Sequence, residues 1–441
     1  MINKILVANR GEIAVRIIRC LKMMGITTVA VYSEPDADGL WVKMADQSVC
    51  IGSRKSEDSY LSMNNLISAA LYTHCQAIHP GVGFLSESGT FARRVTEAGL
   101  IFVGPLADTI DQLGNKIEAR HLAEESGLDI TPGSHGAIKD FPDAKKIAEE
   151  IGYPVILKAS MGGGGKGMRI IRGADELEDG LNITKREAGQ FFGDNTIHME
   201  AFLDHPRHIE VQLLSDGKGN VIFLGERDCS VQKNHQKLIE ESPSPAVSSE
   251  LRNNLEVAST KLFKKLNYRG AGTIEFLVQD KHCCFMEVNA RIQVEHSVSE
   301  EVSGIDLIKQ MTLICDDKPS LCTEGSPTLQ GHSMEVRINA LSCGKITKFN
   351  PPIGRGVRVD THIYEGFTLT PYYDALLAKI IVHTDSRKET LRVMEQALNE
   401  LEIEGIQTNK SVIQTILHSK QFSLGNFNTN LYPELEKEGL L

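Results

Sequence analysis

Over its first hundred residues the chain alternates short apolar runs with amphipathic segments of helical period, and few folds other than a parallel sheet wound with crossover helices accept that alternation. KILVA (4–8) reads as a buried strand and runs into an NRGE turn. EIAVRIIRCLKMMG then places Ile13, Ile17 and Leu21 on one helical face and reaches Gly25, where a helix C-cap is expected. ITTVAVYS (26–33), SVCIG (48–52), AIHP (77–80) and LIFVGP (100–105) supply further strands. Residues 1 to about 105 are therefore expected to form a doubly wound α/β domain.

After a helical connector over 108–127 the texture changes. PVILKAS (154–160) and GMRIIRG (167–173) flank the run MGGGGKG, and TIHMEAFL (196–203) follows as a third strand of a small lobe. From residue 208 onward HIEVQLLSD, NVIFLGERDCS, AGTIEFLVQ and CCFMEVNARIQVE alternate as long strands around one helix at 248–267, the pattern of a larger antiparallel domain. A length of 441 residues agrees with three domains. We place their boundaries at 1–115, 116–203 and 204–441. The excess of 58 acidic over 47 basic residues, net −11, disfavours a nucleic-acid-coating protein. No apolar run approaches the ~18 residues that span a bilayer, and MINKILVANRGE does not read as a secretory leader. The nine cysteines include no C-x-x-C pair, which argues against a zinc site or disulfide framework and for a reducing cytoplasm.

Consecutive glycines at 162–165, followed by Lys166 and Gly167, let backbone N–H groups approach phosphate oxygens closely. Met168 and a following strand exclude a Walker loop. The run suits either a plain hairpin tip or a mobile flap over phosphates, and the entropic cost of ordering four glycines favours the flap. Glu275 in TIEFL and Glu287 in FMEVN are carboxylates inside apolar strands; with Asn289 on the face of Glu287 they offer oxygen ligands to a hard cation such as Mg²⁺. If the segment stays extended, Glu287, Asn289, Arg291, Gln293 and Glu295 share one face, opposite Val288, Ile292 and Val294. Such a face suits a metal-plus-anion site in which Glu295 takes a proton, although a solvated edge strand has the same alternation. Lys116, Lys158 and Lys237 are further cations. Lys158 lies among residues that suggest burial, whereas Lys116 alone reads as a solvated helix residue.

Taken together these motifs resemble the biotin carboxylases of the ATP-grasp superfamily over essentially the whole chain. KILVANRGEIAVRIIR (4–19), IHPGVGFLSES (78–88), FVGP (102–105), PVILKASMGGGGKGMRI (154–170), ERDCSVQKNHQK (226–237), GAGTIEF (270–276), EVNARIQVEHSVSE (287–300) and GHSMEVRINA (331–340) are similar to that family's signatures, in its order. The resemblance implies a multidomain α/β and α+β chain with an ATP-grasp fold: an N-terminal α/β domain, a mobile lid and a C-terminal antiparallel-sheet domain. Lys116 and Lys158 match the cations on the ATP phosphates, Gly164 and Gly165 the lid's glycine loop, and Glu200, Ala201, Phe202 and Leu203 the segment whose backbone meets adenine. His208, Gln232 and His235 match residues lining the nucleotide site, and Glu275, Glu287 and Asn289 match ligands of Mg (or Mn). Lys237, Arg291, Gln293 and Val294 resemble the bicarbonate site, Glu295 the general base, and Arg337 the residue that stabilises the enolate of biotin.

The implied activity is that of a ligase: ATP-dependent carboxylation of biotin on a biotin carboxyl carrier protein, feeding the carboxyltransferase subunits of an acetyl-CoA carboxylase in fatty-acid synthesis. The same half-reaction could serve another acyl-CoA or pyruvate carboxylase, and an ATP-binding but catalytically impaired partner protein is a further alternative. With no biotinyl-lysine or carboxyltransferase segment in the chain, the carrier is expected in trans; a cytoplasmic homodimer is also expected. Val82 replaces the family's aromatic residue in the biotin-side loop, Ser88 and Gly89 follow as departures, and only Leu341, Ser342 and Cys343 occupy a usually longer loop. Ala290, Ser297 and Lys166 replace Thr, Pro and Arg.

Overall fold

Five parallel strands open the chain: β1 (Lys4–Val7), β2 (Thr27–Ser33), β3 (Gln47–Gly52), β4 (Ala77–His79) and β5 (Ile101–Phe102). They lie in the order β3-β2-β1-β4-β5, so the chain winds outward from β1 in one direction and then the other. Helices α1 (Gly11–Met23), α2 (Leu40–Met44), α3 (Met63–Tyr72) and α4 (Gly89–Glu97) make the crossovers. Ile13, Ile17 and Leu21 of α1 are buried as their period requires. The computed structural model describes residues 1–134, 136–160, 167–279 and 282–441.

The connector is two helices rather than one. After α5 (Ala107–Gly114) the chain restarts at α6 (Lys116–Ser126), because the Asn115 side chain accepts from the Ile117 and Glu118 N–H groups and caps a new helix there. Helix α7 (Phe141–Ile151) leads to the small sheet β7-β6-β8, made of β6 (Val155–Ala159), β7 (Met168–Ile171) and β8 (Ile197–Ala201), with α8 (Leu177–Phe192) packed on it. The two strands expected on either side of the glycine run, β6 and β7, are present and pair antiparallel. The run itself, with Gly164, Gly165 and Lys166, lies outside the described residues.

The largest layer is an eight-stranded antiparallel sheet in the order β13-β12-β9-β10-β11-β14-β19-β17. Its first strands are β9 (Arg207–Asp216), β10 (Val221–Lys233), β11 (Gln236–Ser242), β12 (Arg269–Gln279) and β13 (His282–Asn289), with α9 (Ser249–Lys265) between β11 and β12. Helices α10 (His296–Ser303) and α11 (Leu307–Cys315) precede β14 (His332–Asn339). Short strands β15 (Gly344–Lys345) and β16 (Lys348–Asn350) lead to β17 (Val357–Thr361), and β18 (Thr368–Leu369) to β19 (Leu376–Thr384). Helix α12 (Arg387–Glu400), β20 (Glu402–Glu404) and helices α13 (Lys410–His418), α14 (Lys420–Ser423) and α15 (Leu431–Lys437) complete the chain. Among the described residues no helix is long and apolar enough to cross a membrane.

Candidate active site

Directly opposed residues of an antiparallel sheet point to one face, and here that rule builds a row of charges inside the protein. Glu287 on β13 opposes Glu275 on β12, Glu275 opposes Glu210 on β9, and Glu210 opposes Arg227 on β10. A polar row lies one step along, Asn289, Thr273 and Gln212. A bulge between Glu275 and Phe276, where β13 carries the extra residue Met286, sets the two carboxylates against each other. The side-by-side placement expected for Glu275 and Glu287 is what the register produces.

Lys237, the second residue of β11, reaches over this row. Its ammonium meets Glu210, Glu295 at 2.7 Å and Glu275 at 3.2 Å. Although burial disfavours its charge, those three carboxylates raise the lysine well above its ordinary range. Arg227 is fully buried; it pairs with Glu210 at 3.1 Å, donates to Gln212 and Ser299 at 2.8 Å, and bonds Gln293. His208 Nε2 bonds Glu275 at 2.8 Å and its Nδ1 meets the Gln232 amide at 2.8 Å. His235 lies at the exposed hairpin tip, where it and Asn234 both take positive φ, as a two-residue turn demands.

The extended run from Glu287 to Glu295 does not occur. Strand β13 stops at Asn289, because the Ala290 N–H donates to Glu87 Oε1 at 3.1 Å instead of a neighbouring strand. The chain then turns and Glu295 becomes the residue before α10. The turn still delivers the expected side chains to one place. Gln293 and Asn289 donate to Glu275 Oε1 at 2.8 and 2.7 Å, while Arg291 donates to Asn289 Oδ1 at 3.0 Å and to Glu87 at 2.8 Å. Arg337 on β14 donates to Glu295 Oε2 at 2.8 Å and to Glu240 at 2.6 Å. Glu295 is thus gripped from both sides: burial opposes its charge, yet Lys237, Arg337 and Arg227 hold its carboxyl well below the usual range.

A second cluster occupies the small sheet. Lys158 pairs with Glu200 at 2.5 Å, and Arg120 and His198 reach the same carboxylate at 2.8 and 3.1 Å. Burial works against that carboxylate's charge, and Lys158, His198 and Arg120 overcome it, holding its pKa far below the ordinary value. The expected burial of Lys158 is observed, at 7% exposure. Lys116, read alone as solvated, is half-buried in the first turn of α6, and burial together with the like charge of Lys158 lowers its pKa while Glu287 opposes the shift. That set of neighbours places its ammonium in the joint between small sheet and large. Phe202 follows β8 with its N–H on the Pro154 carbonyl at 3.0 Å and Arg172 over its ring; Ala201 and Leu203 flank it, half-buried. Val82 is half-buried against the N-terminal core, its carbonyl accepting from Asn9 at 2.7 Å.

The acidic row suits a hard divalent cation. Burial and the adjacent Glu275 both push the Glu287 carboxyl up, so the two acids repel in a way that a bound cation would relieve. Donor atoms of His208, Glu210 and Glu275 also lie within 4.8 Å of one another. Sequence reasoning missed Glu87, Arg120, Glu210, Arg227, Glu240 and Lys379. Glu210 in HIEVQLL and Lys379 in LLAKIIV carry the signal that drew attention to Glu275 and Lys158, a charge within an apolar strand. Glu87 carries no such signal.

Three family models match the chain: "Biotin carboxylase, N-terminal domain" over 1–110, "Carbamoyl-phosphate synthase L chain, ATP binding domain" over 115–319 and "Biotin carboxylase C-terminal domain" over 336–434. The chain is 46% identical over 439 residues to Biotin carboxylase 1 of Bacillus subtilis, covering 97% of this chain and 98% of that one. Among solved structures it is similar to a biotin carboxylase complex with β,γ-ATP from Campylobacter jejuni (TM-score 0.95, 43% identity, 98% of this chain and 99% of that one). It is also similar to the biotin carboxylase domain dimer of Hydrogenobacter thermophilus 2-oxoglutarate carboxylase with MgADP, ADP and bicarbonate (TM-score 0.94, 40% identity, 99% and 98%).

Proposed function

Because the chain belongs to the biotin carboxylase family, we propose that it is an ATP-dependent ligase that carboxylates biotin on a separate biotin carboxyl carrier protein, using bicarbonate and Mg (or Mn). The observation that carries this reading is Glu295 held between Lys237 and Arg337 beside the paired acids Glu275 and Glu287.

Bicarbonate entering beside Lys237, Arg291, Gln293 and Val294 supplies a competing anion for Lys237. Glu295 then loses part of the field that holds it ionised, its proton affinity rises, and it becomes a base when its substrate arrives. The bicarbonate O–H bond breaks as the proton passes to Glu295, and the freed oxygen attacks the γ-phosphorus with ADP leaving, giving carboxyphosphate. Carboxyphosphate collapses to CO₂ and phosphate in a site closed to water. The phosphate takes the N1′ proton of biotin, Arg337 stabilises the developing enolate oxygen, and N1′ captures CO₂. In this scheme Lys116 and Lys158 hold the phosphates, and Gly164 and Gly165 keep the phosphate-loop role that the sequence resemblance implies. Glu200 to Leu203, His208, Gln232 and His235 surround the nucleotide, and Val82 borders the biotin side. Glu275, Glu287 and Asn289 would hold the divalent cation, which supplies neutralisation of phosphate charge.

The finer assignment is an acetyl-CoA carboxylase making malonyl-CoA for fatty-acid synthesis, with the chain as a homodimer beside carboxyltransferase subunits. The comparable match to a 2-oxoglutarate carboxylase domain supports a second reading, in which the same half-reaction serves a different acceptor. ADP release with Mg²⁺, ATP and bicarbonate, with and without free biotin or biotinylated carriers, tests both. Biotin-stimulated turnover that falls at least ~1,000-fold in Glu295→Gln is expected. Nucleotide binding without biotin stimulation on any carrier would instead favour a catalytically impaired partner role.

A further inference from the structure

A fully buried lysine lies under the turn that carries the proposed base. Lys379, on β19, opposes Arg337 on one side and Asp360 on the other, so the three share one face of the sheet. Its ammonium donates to the Val294 carbonyl at 2.5 Å and to Ser297 Oγ at 2.7 Å, and three carboxylates surround it: Glu12 and Glu335 at 3.7 Å and Asp360 at 3.8 Å. Among the described residues Glu12 Oε2 and both Glu335 oxygens have no hydrogen bond, so the lysine's charge is their compensation. Val294 precedes Glu295, and Ser297 lies in the first turn of α10, so one ammonium spans the peptide before the base and the helix after it. In a trans peptide C=O and N–H are opposed; fixing the Val294 carbonyl on Lys379 turns the Glu295 N–H away from the lysine and sets the backbone from which the Glu295 side chain leaves.

We infer that Lys379 is a positioning residue for proton transfer: by pinning the Val294 carbonyl and Ser297 it aims the Glu295 carboxylate between Lys237 and Arg337. The inference rests on the reading of Glu295 as the base. It also gives Ser297, where the family usually carries proline, a defined part: a hydroxyl that proline lacks accepts the second bond from the lysine.

The test is steady-state kinetics of the full chain with ATP, bicarbonate and biotin for the parent, Lys379→Met and Ser297→Ala, alongside nucleotide affinity and a pH profile. Lys379→Met is expected to lower kcat ~100-fold, as an ångström-scale displacement of a reacting group does, with nucleotide affinity unchanged. Its acid limb in kcat/KM for bicarbonate should move to higher pH, because a base turned away from Lys237 and Arg337 is protonated more readily. Ser297→Ala, which removes one bond and no charge, should lower kcat ~3- to 10-fold with a smaller shift in the same direction. An active parent with unchanged kcat and acid limb in Ser297→Ala and in folded Lys379→Met overturns the positioning role. If Lys379→Met does not fold, Ser297→Ala decides alone. A parent without biotin-stimulated turnover overturns the functional reading instead.

Discussion

Glu240 is fully buried, and of its two oxygens one accepts from Arg337 while the other has no hydrogen bond among the described residues. Burial pushes its carboxyl up to about 8, with its cross-strand neighbour Glu335 adding to the shift and Arg337 opposing it. A folded-state pKa above the unfolded one means that the native chain retains a proton that the unfolded chain has lost. The stabilisation is complete below the ordinary carboxylate pKa and declines as pH rises toward 8, at up to roughly 1.4 kcal/mol per pH unit for one proton. Glu240→Gln is therefore expected to gain stability relative to the parent between pH 5 and pH 8, read as a urea midpoint that falls less steeply with pH. Equal pH dependence in the two proteins would mean that Glu240 is ionised throughout. Turnover in that range should change little, since the amide oxygen of the variant accepts from Arg337 as the protonated carboxyl does.

Helix α6 shows how one element sets up a functional group. The Asn115 cap fixes where the helix begins, and Lys116 is its first residue, with its N–H on the Ser160 carbonyl at 3.2 Å. Asn115→Ala should cost about 1 kcal/mol of stability, as loss of an N-cap does, and should weaken ATP binding severalfold because the first turn no longer presents Lys116 to the joint. Isothermal titration with ATP and a denaturant midpoint separate the two effects; weakened stability with unchanged affinity would remove Lys116 from the nucleotide site. The capping asparagine was present in the sequence, yet a continuous apolar pattern over 108–127 hid the break. Strands were more legible. A charge inside each of the apolar strands TIEFL and FMEVN marked Glu275 and Glu287, while the bulge at Met286 that sets them directly opposite each other breaks the period of two and had no signal in the alternation. The end of β13 was not legible, since what stops it is Glu87, a residue about two hundred positions away whose carboxylate takes the Ala290 N–H and the Arg291 guanidinium. Local pattern carries the strand, and a long-range hydrogen bond carries its termination.

At the scale of the molecule, the cores differ in what they join. Two apolar clusters combine residues of the N-terminal sheet and its helix α1 with residues of the eight-stranded sheet and the segments packed on it: Leu6, Ile78 and Phe102 share one with Val211, Leu213 and Ile274, and Ile5, Ile17 and Ala30 share another with Leu214, Ile292 and Met311. Arg269 adds bonds from β12 to the Phe102 and Gly104 carbonyls at 3.0 and 2.9 Å. The small sheet has a core of its own, from Ile138 to Met199, that draws on neither. Its ties to the remainder include Arg120 on Glu200, the bridge of Gly133 to Glu200 and the Lys116 N–H on Ser160. A body with a private core and few cross-links opens at lower free energy than a shared one, so amides of β6 and β8 should exchange with solvent faster than those of β9, β10 and β12. Mg·ATP binding between Lys158 of the small sheet and Lys116, Glu275 and Glu287 of the remainder would add the missing cross-links. At one hundred times its Kd, a ligand specific to the native state adds ~2.7 kcal/mol, and exchange in β6 and β8 should slow by up to ~100-fold while that in the large sheet slows less. Hydrogen exchange with and without Mg·ATP reads this directly. Uniform slowing across all three sheets would show that the small sheet opens only with the rest of the chain, and the lid would then have to close over carboxyphosphate by a motion that leaves its own core intact.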